Sequence, residues 1–101
     1  MLAELSIIPL GRGTHLSGDL GRILKIVDES GIRYQLTPSG TCLEGEWDEV
    51  MDLVKKCHHE ARSFCTHLMT TLRIEDELGA NDKLNENISS VEQAVGHQLK
   101  H

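Results

Sequence analysis

A chain of 101 residues has room for one small domain, and its formal net charge of −6 argues against a nucleic-acid partner, because phosphate binding needs a basic face. The aromatic residues are only Tyr34, Trp47 and Phe64, too few to build platforms on which bases stack. No run approaches the roughly 20 apolar residues that span a bilayer. No basic segment precedes the apolar start, and three irregularly spaced cysteines do not describe a disulfide framework. The expected setting is therefore the reducing cytoplasm, with no membrane partner.

The segment Leu2 to Pro9 (LAELSIIP) sets Ala3, Leu5 and Ile7 against Glu4 and Ser6 and stops at a proline, which predicts a strand. A glycine-rich loop, Gly11-Arg12-Gly13-Thr14-His15, follows. Leu16, Leu20, Ile23, Leu24 and Val27 then recur at helical spacing. Asp19 stands near the positive end of that helix and Gly31 just past the other. Arg33 to Leu43 predicts two short strands joined around Pro38-Ser39-Gly40, a sequence suited to a turn. After Glu44-Gly45-Glu46, a second helix should bury Trp47, Val50, Met51, Val54, Cys57, Ala61 and Phe64. Thr66 to Ile74 returns to strand periodicity, and the charged stretch from Glu75 to Asn81 reads as a loop. Asp82 is a good N-cap for a last helix that presents Leu84, Ile88, Val91 and Val95. The tail from Gly96 to His101 is expected to fray.

The order βαββαβ, followed by one more helix, predicts an α+β fold: a ferredoxin-like antiparallel sheet with two helices on one face. Residues 1–101 form a single domain. A core of this size leaves little room for a deep private pocket, so a site that borrows a wall from a second copy is expected. In this topology the first strand is central. With Ala3, Leu5 and Ile7 facing the helices, Glu4 and Ser6 point to the uncovered face. On the last strand Leu68, Leu72 and Ile74 face the core, so His67, Met69, Thr71 and Arg73 join that uncovered face. Gln35 and Thr37 join them if Tyr34 and Leu36 are inside. The parity of the third strand, Thr41 and Leu43 against Cys42 and Glu44, stays open. Leu2, Ile8 and Met69 make the face half apolar, a surface able to pair with a second sheet. Glu4 and Arg73 are placed to form an ion pair there. An ordinary solvated sheet face is the alternative.

The run from Gly11 to Gly18, between a strand and a helix, reads equally as an anion cradle or as a turn that uses glycine for positive φ. It matches neither a dinucleotide fingerprint nor a Walker sequence. Arg12 raises a hydrolase alternative: acylphosphatases share the strand order and bind phosphate with an arginine in this loop. They also use an asparagine on a later strand, and no predicted strand here contains one. Cys57-His58-His59 and Cys65 with His67 lack metal-ligand spacing, so no metal or cofactor is expected. Cys57 falls on the apolar stripe of its helix and reads as an inert buried thiol. Glu75-Asp76-Glu77 reads as a solvated loop.

Three segments in order resemble the thiamine-binding protein family, the UPF0045 group. They are Ala3 to Gly11, the hairpin from Tyr34 to Gly45 with its Gly40-Thr41 pair, and Arg73-Ile74-Glu75-Asp76 followed by Lys83 and Ser90-Val91-Glu92. The acidic stretch after Arg73 departs from the family's pattern, with Glu75 in place of an aspartate and Glu77 in place of an arginine. The resemblance implies a ferredoxin-like fold that dimerises or forms tetramers through its sheets. It also implies binding of thiamine or its hydroxymethylpyrimidine part without catalysis. Candidate contacts are Glu4, Ser6, Thr41 and Arg73 as placed donors and acceptors. Gly11, Thr14 and Ser17 of the loop and Ser39 and Gly40 of the hairpin turn complete the set. The alternatives are a scaffold whose open face serves only assembly, or a small phosphate-binding hydrolase.

Overall fold

The computed structural model describes residues Met1–His101. Strand β1 (Leu2–Pro9) leads through a short 3-10 turn (Gly13–His15) into helix α1 (Leu16–Glu29). Strands β2 (Arg33–Thr37) and β3 (Gly40–Glu44) form the hairpin, helix α2 (Trp47–Arg62) precedes β4 (Leu68–Glu75), and α3 (Lys83–Val95) follows. The strands make one sheet in the order β2-β3-β1-β4, antiparallel at every pairing. This is the expected α+β, ferredoxin-like arrangement with an additional helix.

The register explains the alternation. Ala3, Leu5 and Ile7 pair with Ile74, Leu72 and Thr70 on one side and pack into a core with Ile23 and Val27 of α1 and Val50, Leu53 and Cys57 of α2. Glu4, Ser6 and Ile8 pair with Arg73, Thr71 and Met69 on the other side, where neither α1 nor α2 lies. Burying a side chain such as Ile23 or Leu43 stabilises the fold by about 1.5–3 kcal/mol. A register slip of one residue would turn this whole set into solvent.

Three local expectations are corrected. Trp47 is 54% exposed and Leu53 is buried in the helix stripe instead. Helical side chains lean toward the N-terminus, so Trp47, the first residue of α2, points past the end of the layer. The α3 boundary falls after Asp82 as expected, but no side-chain bond from Asp82 caps the helix. The Asp82 carboxylate is taken by Arg33 and by the Asn85 amide at 3.1 Å. The first α3 amides go instead to Glu44, which accepts from Lys83 N–H at 2.7 Å and Leu84 N–H at 3.0 Å. Finally, the tail turns back rather than fraying: Gly96 ends the helix with φ of +97, and Leu99 N–H donates to Glu92 at 2.6 Å.

Helix α3 therefore covers one end of the open face. It is tied to β3 through Glu44 and to β4 through Glu75, which accepts from the Asn87 amide at 3.1 Å. None of its residues is fully buried, and Val91 and Val95 remain exposed. No helix of the chain is long and apolar enough to cross a membrane.

Candidate functional site

The cavity that best suits a ligand arises from a mismatch in strand length. Strand β1 pairs with β4 along its whole length, but with β3 only from Leu2 to Leu5. Beyond Leu5 the hairpin turns away at Pro38 and Ser39, and β1 continues alone. The notch between them, walled by α1, is a cavity of about 280 Å³. Leu16, Leu20 and Leu24 come from α1, Leu36 and Thr41 from the hairpin, and Leu5 to Ile8 from β1. Eight of its fourteen lining residues are hydrophobic and none carries a charge.

Polar groups enter this cavity at few points. Thr41 lies opposite Leu5 in the register and is 4% exposed, so it faces the helices rather than the open face. The turn satisfies itself: Thr37 Oγ1 donates to Gly40 O at 2.9 Å and accepts from Ser39 N–H at 3.3 Å.

The nine candidate residues fall into three places. Ser6, Ser39, Gly40 and Thr41 border the notch. Glu4 and Arg73 lie on the open face, 3.6 Å apart, with Arg73 largely exposed. They border a second hollow of about 350 Å³ with Cys42, Glu75 and Asn87. In that hollow the charges answer one another, since Glu75 also meets Lys83 at 3.8 Å. Gly11, Thr14 and Ser17 belong to the loop and the first turn of α1, outside both hollows. Thr41 and Arg73 therefore do not meet across one face: they lie on opposite sides of the sheet. The parity of β3 hid this, because Thr41 and Glu44 are both buried, one on each side. The leucine walls of the notch were visible in sequence as core periodicity, without any sign that they enclose space.

The loop is held by an internal pair. Arg12 donates to both oxygens of Asp19, at 2.8 and 3.1 Å, and its guanidinium lies over the Phe64 ring at 5.4 Å. This hydrogen bond, more than simple proximity of charge, holds the Asp19 carboxyl below its ordinary range and raises Arg12 above its own. A guanidinium so engaged is poorly placed to seize a phosphate, which weighs against the hydrolase alternative. Cys57 is completely buried, and burial pushes its thiol up to about 11. Cys42 is also raised, first by burial and then by Glu4. No three histidine, cysteine or acidic side chains gather as a metal site would require.

Fold and cavity together define a ferredoxin-like domain with an apolar, uncharged cleft of small-molecule size. The sequence model of the family described as thiamine-binding protein matches residues 3–92. This chain belongs to the thiamine-binding protein family. A UPF0045 protein of Methanothermobacter thermautotrophicus is 33% identical over 96 residues, covering 92% of this chain and 97% of that protein. The UPF0045 protein YqgV of Bacillus subtilis is 31% identical over 96 residues, covering 89% and 92%. Among solved structures, a hypothetical protein of Methanocaldococcus jannaschii aligns with a TM-score of 0.83 at 23% identity, covering 91% of this chain and 95% of that one. A Thermotoga maritima protein, assigned provisionally to thiamine biosynthesis or salvage, aligns with a TM-score of 0.80 at 24% identity, covering 89% and 96%. At these identities the two structures speak for the fold.

Proposed function

We propose that this chain binds thiamine or its hydroxymethylpyrimidine part, without catalysis, as a homo-oligomer that handles the vitamin or its precursor in the cytoplasm. The match to the thiamine-binding family over residues 3–92 carries this reading, and the notch beside β1 is a cavity that suits such a ligand. Its volume, about 280 Å³, sits at the lower edge of the range for ligand pockets, about 300–1,000 Å³. One substituted ring fits, and the second ring of thiamine extends outward. The rim residues Leu16 and Leu36, 41% and 64% exposed, leave the mouth free to receive a wall from a second copy.

Calorimetric titration with thiamine and with hydroxymethylpyrimidine tests the reading. Saturable heat from either is expected, and silence from both removes the claim. The scaffold alternative draws on a separate observation. Ile8 and Met69 are register partners on the open face and both are exposed, an apolar centre suited to pairing with a second sheet. If Met69→Lys dissolves the oligomer while neither ligand binds the parent protein, assembly is the whole function.

A further inference from the structure

An aspartate stands where the packing of α1 calls for an apolar side chain. The fully buried residues of this helix recur every fourth position, as Asp19, Ile23 and Val27, which is the spacing of a single face. Asp19 is 4% exposed, and the first two turns, Leu16 to Arg22, bury no other residue completely. A buried carboxylate is costly unless it is paired. Even when paired, an apolar couple of similar volume commonly holds a fold as well or better. Stability alone therefore does not account for an ion pair on this face.

Arg12 supplies the partner from the loop ahead of the helix. Gly11 and Gly13, with φ of +76 and +57, turn the chain on either side of it, a conformation that favours glycine. His15 N–H donates to Arg12 O at 3.1 Å, which closes the turn on the residue whose side chain reaches back to α1. Both Asp19 oxygens then accept from the one guanidinium, at 2.8 and 3.1 Å. The Phe64 ring carries Arg12 at 5.4 Å and also Arg22 at 4.5 Å, and Arg22 donates to Glu60 at 2.8 Å. A ladder runs from Asp19 through Arg12, Phe64 and Arg22 to Glu60, and ties the start of α1 to the end of α2. Forked hydrogen bonds and cation–ring contacts have a preferred geometry, whereas apolar packing is non-directional.

We propose that Arg12 and Asp19 are positioning residues for the notch: they fix the height and rotation of the first turns of α1, and through them the wall made by Leu16 and Leu20. Neither residue borders the notch itself, while Leu16 and Leu20 both do. Leu20 follows Asp19 directly on the helix, so any rotation that seated an apolar residue 19 more deeply would carry Leu16 and Leu20 with it. Ile23 and Val27 hold the far half of α1 in the core. The ladder holds the near half, and so keeps the wall in place before any ligand arrives. Such preorganisation lowers the cost of binding. The ligand in this inference rests on the proposed thiamine reading, and the brace rests on the contacts of Arg12 and Asp19.

The test replaces both partners together in the full chain, Arg12→Met with Asp19→Leu, so that no charge is left buried alone. Its urea unfolding midpoint should equal or exceed the parent's. Calorimetric titration with thiamine and with hydroxymethylpyrimidine should nevertheless show binding weakened about tenfold. In methyl-labelled protein without ligand, the nuclear Overhauser contacts of Leu16 and Leu20 with Ile7 and Leu36 should change, while those within the core of Val27, Leu43 and Val50 persist. If the double variant binds within about threefold of the parent, or weakens only as its midpoint falls, the positioning inference is overturned and the thiamine reading stands. A double variant that fails to fold makes the pair a requirement of stability and overturns the inference as well. If neither ligand binds the parent, the thiamine reading falls and the methyl contacts decide the brace. Changed Leu16 and Leu20 contacts then support it, and unchanged ones overturn it.

Discussion

Glu44 is the residue on which the placement of α3 depends, and its removal gives the most informative perturbation. The side chain is 3% exposed and accepts the first two amides of the helix at 2.7 and 3.0 Å. Arg33 stands 3.5 Å away. Hydrogen bonds to a charged group contribute about 1.5–3 kcal/mol each. A carboxylate at a partly buried helix N-terminus adds up to about 2 kcal/mol. Desolvation of the carboxylate opposes both, so a net of about 3 kcal/mol is expected for the latch.

Because α3 has no fully buried residue and its other ties, Asn87 and Lys83 to Glu75, Lys83 to Glu77 and Arg33 to Asp82, lie at the surface, losing the latch should release the helix without unfolding the sheet. Native-state hydrogen exchange separates these outcomes, since local opening and global unfolding are read at different amides. Glu44→Ala should lower protection across α3 by about 100-fold, near 2.7 kcal/mol, with much smaller losses in β1 and β4. Glu44→Gln keeps one acceptor oxygen and should lower it about tenfold. If α3 protection in Glu44→Ala stays within about threefold of the parent, under ~1 kcal/mol, helix docking is apolar and the reasoning is wrong. Equal losses in α3 and the central strands would also refute it, by making α3 part of one cooperative unit.

Other substitutions probe the loop, the hairpin and the thiols. Asp19 is held below its ordinary range by its hydrogen bond with Arg12, so its contribution is present above the unfolded carboxyl value near ~3.9 and fades as pH falls through its lowered folded value. The stability gap between parent and Asp19→Asn, from urea unfolding at a series of pH values, should be flat from neutrality to mild acid and close below it. A gap that widens in acid contradicts the pairing. Gly40→Ala places a methyl 3.1 Å from the backbone oxygen of Leu5, so β3 must shift outward at a cost of about 1–3 kcal/mol. An unfolding midpoint equal to the parent's would show that the hairpin yields freely. With an alkylating reagent at pH 8, Cys42 should react first. Cys57, buried and raised to about 11, should react only as fast as the chain unfolds, and early labelling of Cys57 in a peptide map would contradict its burial.

Where a side chain's burial follows from its own neighbours in sequence, the fold was legible. Ala3, Leu5 and Ile7 alternate because one face of β1 is covered, and the same logic placed Leu68 and Leu72 correctly. Trp47 misled because hydrophobicity says nothing about whether a helix position overhangs the layer beneath it. Asp82 misled for a different reason. It has the right type and place for a cap, but Arg33 claims its carboxylate, and the true acceptor, Glu44, lies 40 residues from Leu84 in sequence. Nothing local announces a cap that arrives from another strand. Thr41 and Glu44 resisted assignment because β3 is covered on both sides over its last residues, so polarity no longer marks the outside.

The site exposes a deeper limit of reading side chains. Parity directed attention to Glu4 and Arg73 because an unexplained pair of charges is conspicuous, while the notch is lined by residues that look like ordinary core. Its edge is a length of β1 that runs on beyond the last β3 pairing at Leu5, which a sequence pattern records only as side chains. A quieter signal was still present in the lengths of the elements. The run from Leu2 to Pro9 continues for eight residues, whereas Pro38-Ser39 ends its neighbour early and leaves β3 with five. An antiparallel partner that stops short leaves unpaired backbone groups beside it. Whether those groups meet solvent or enter a walled cavity depends on α1, and here α1 supplies leucines. Chain lengths and turn positions thus carry the information that residue chemistry withheld.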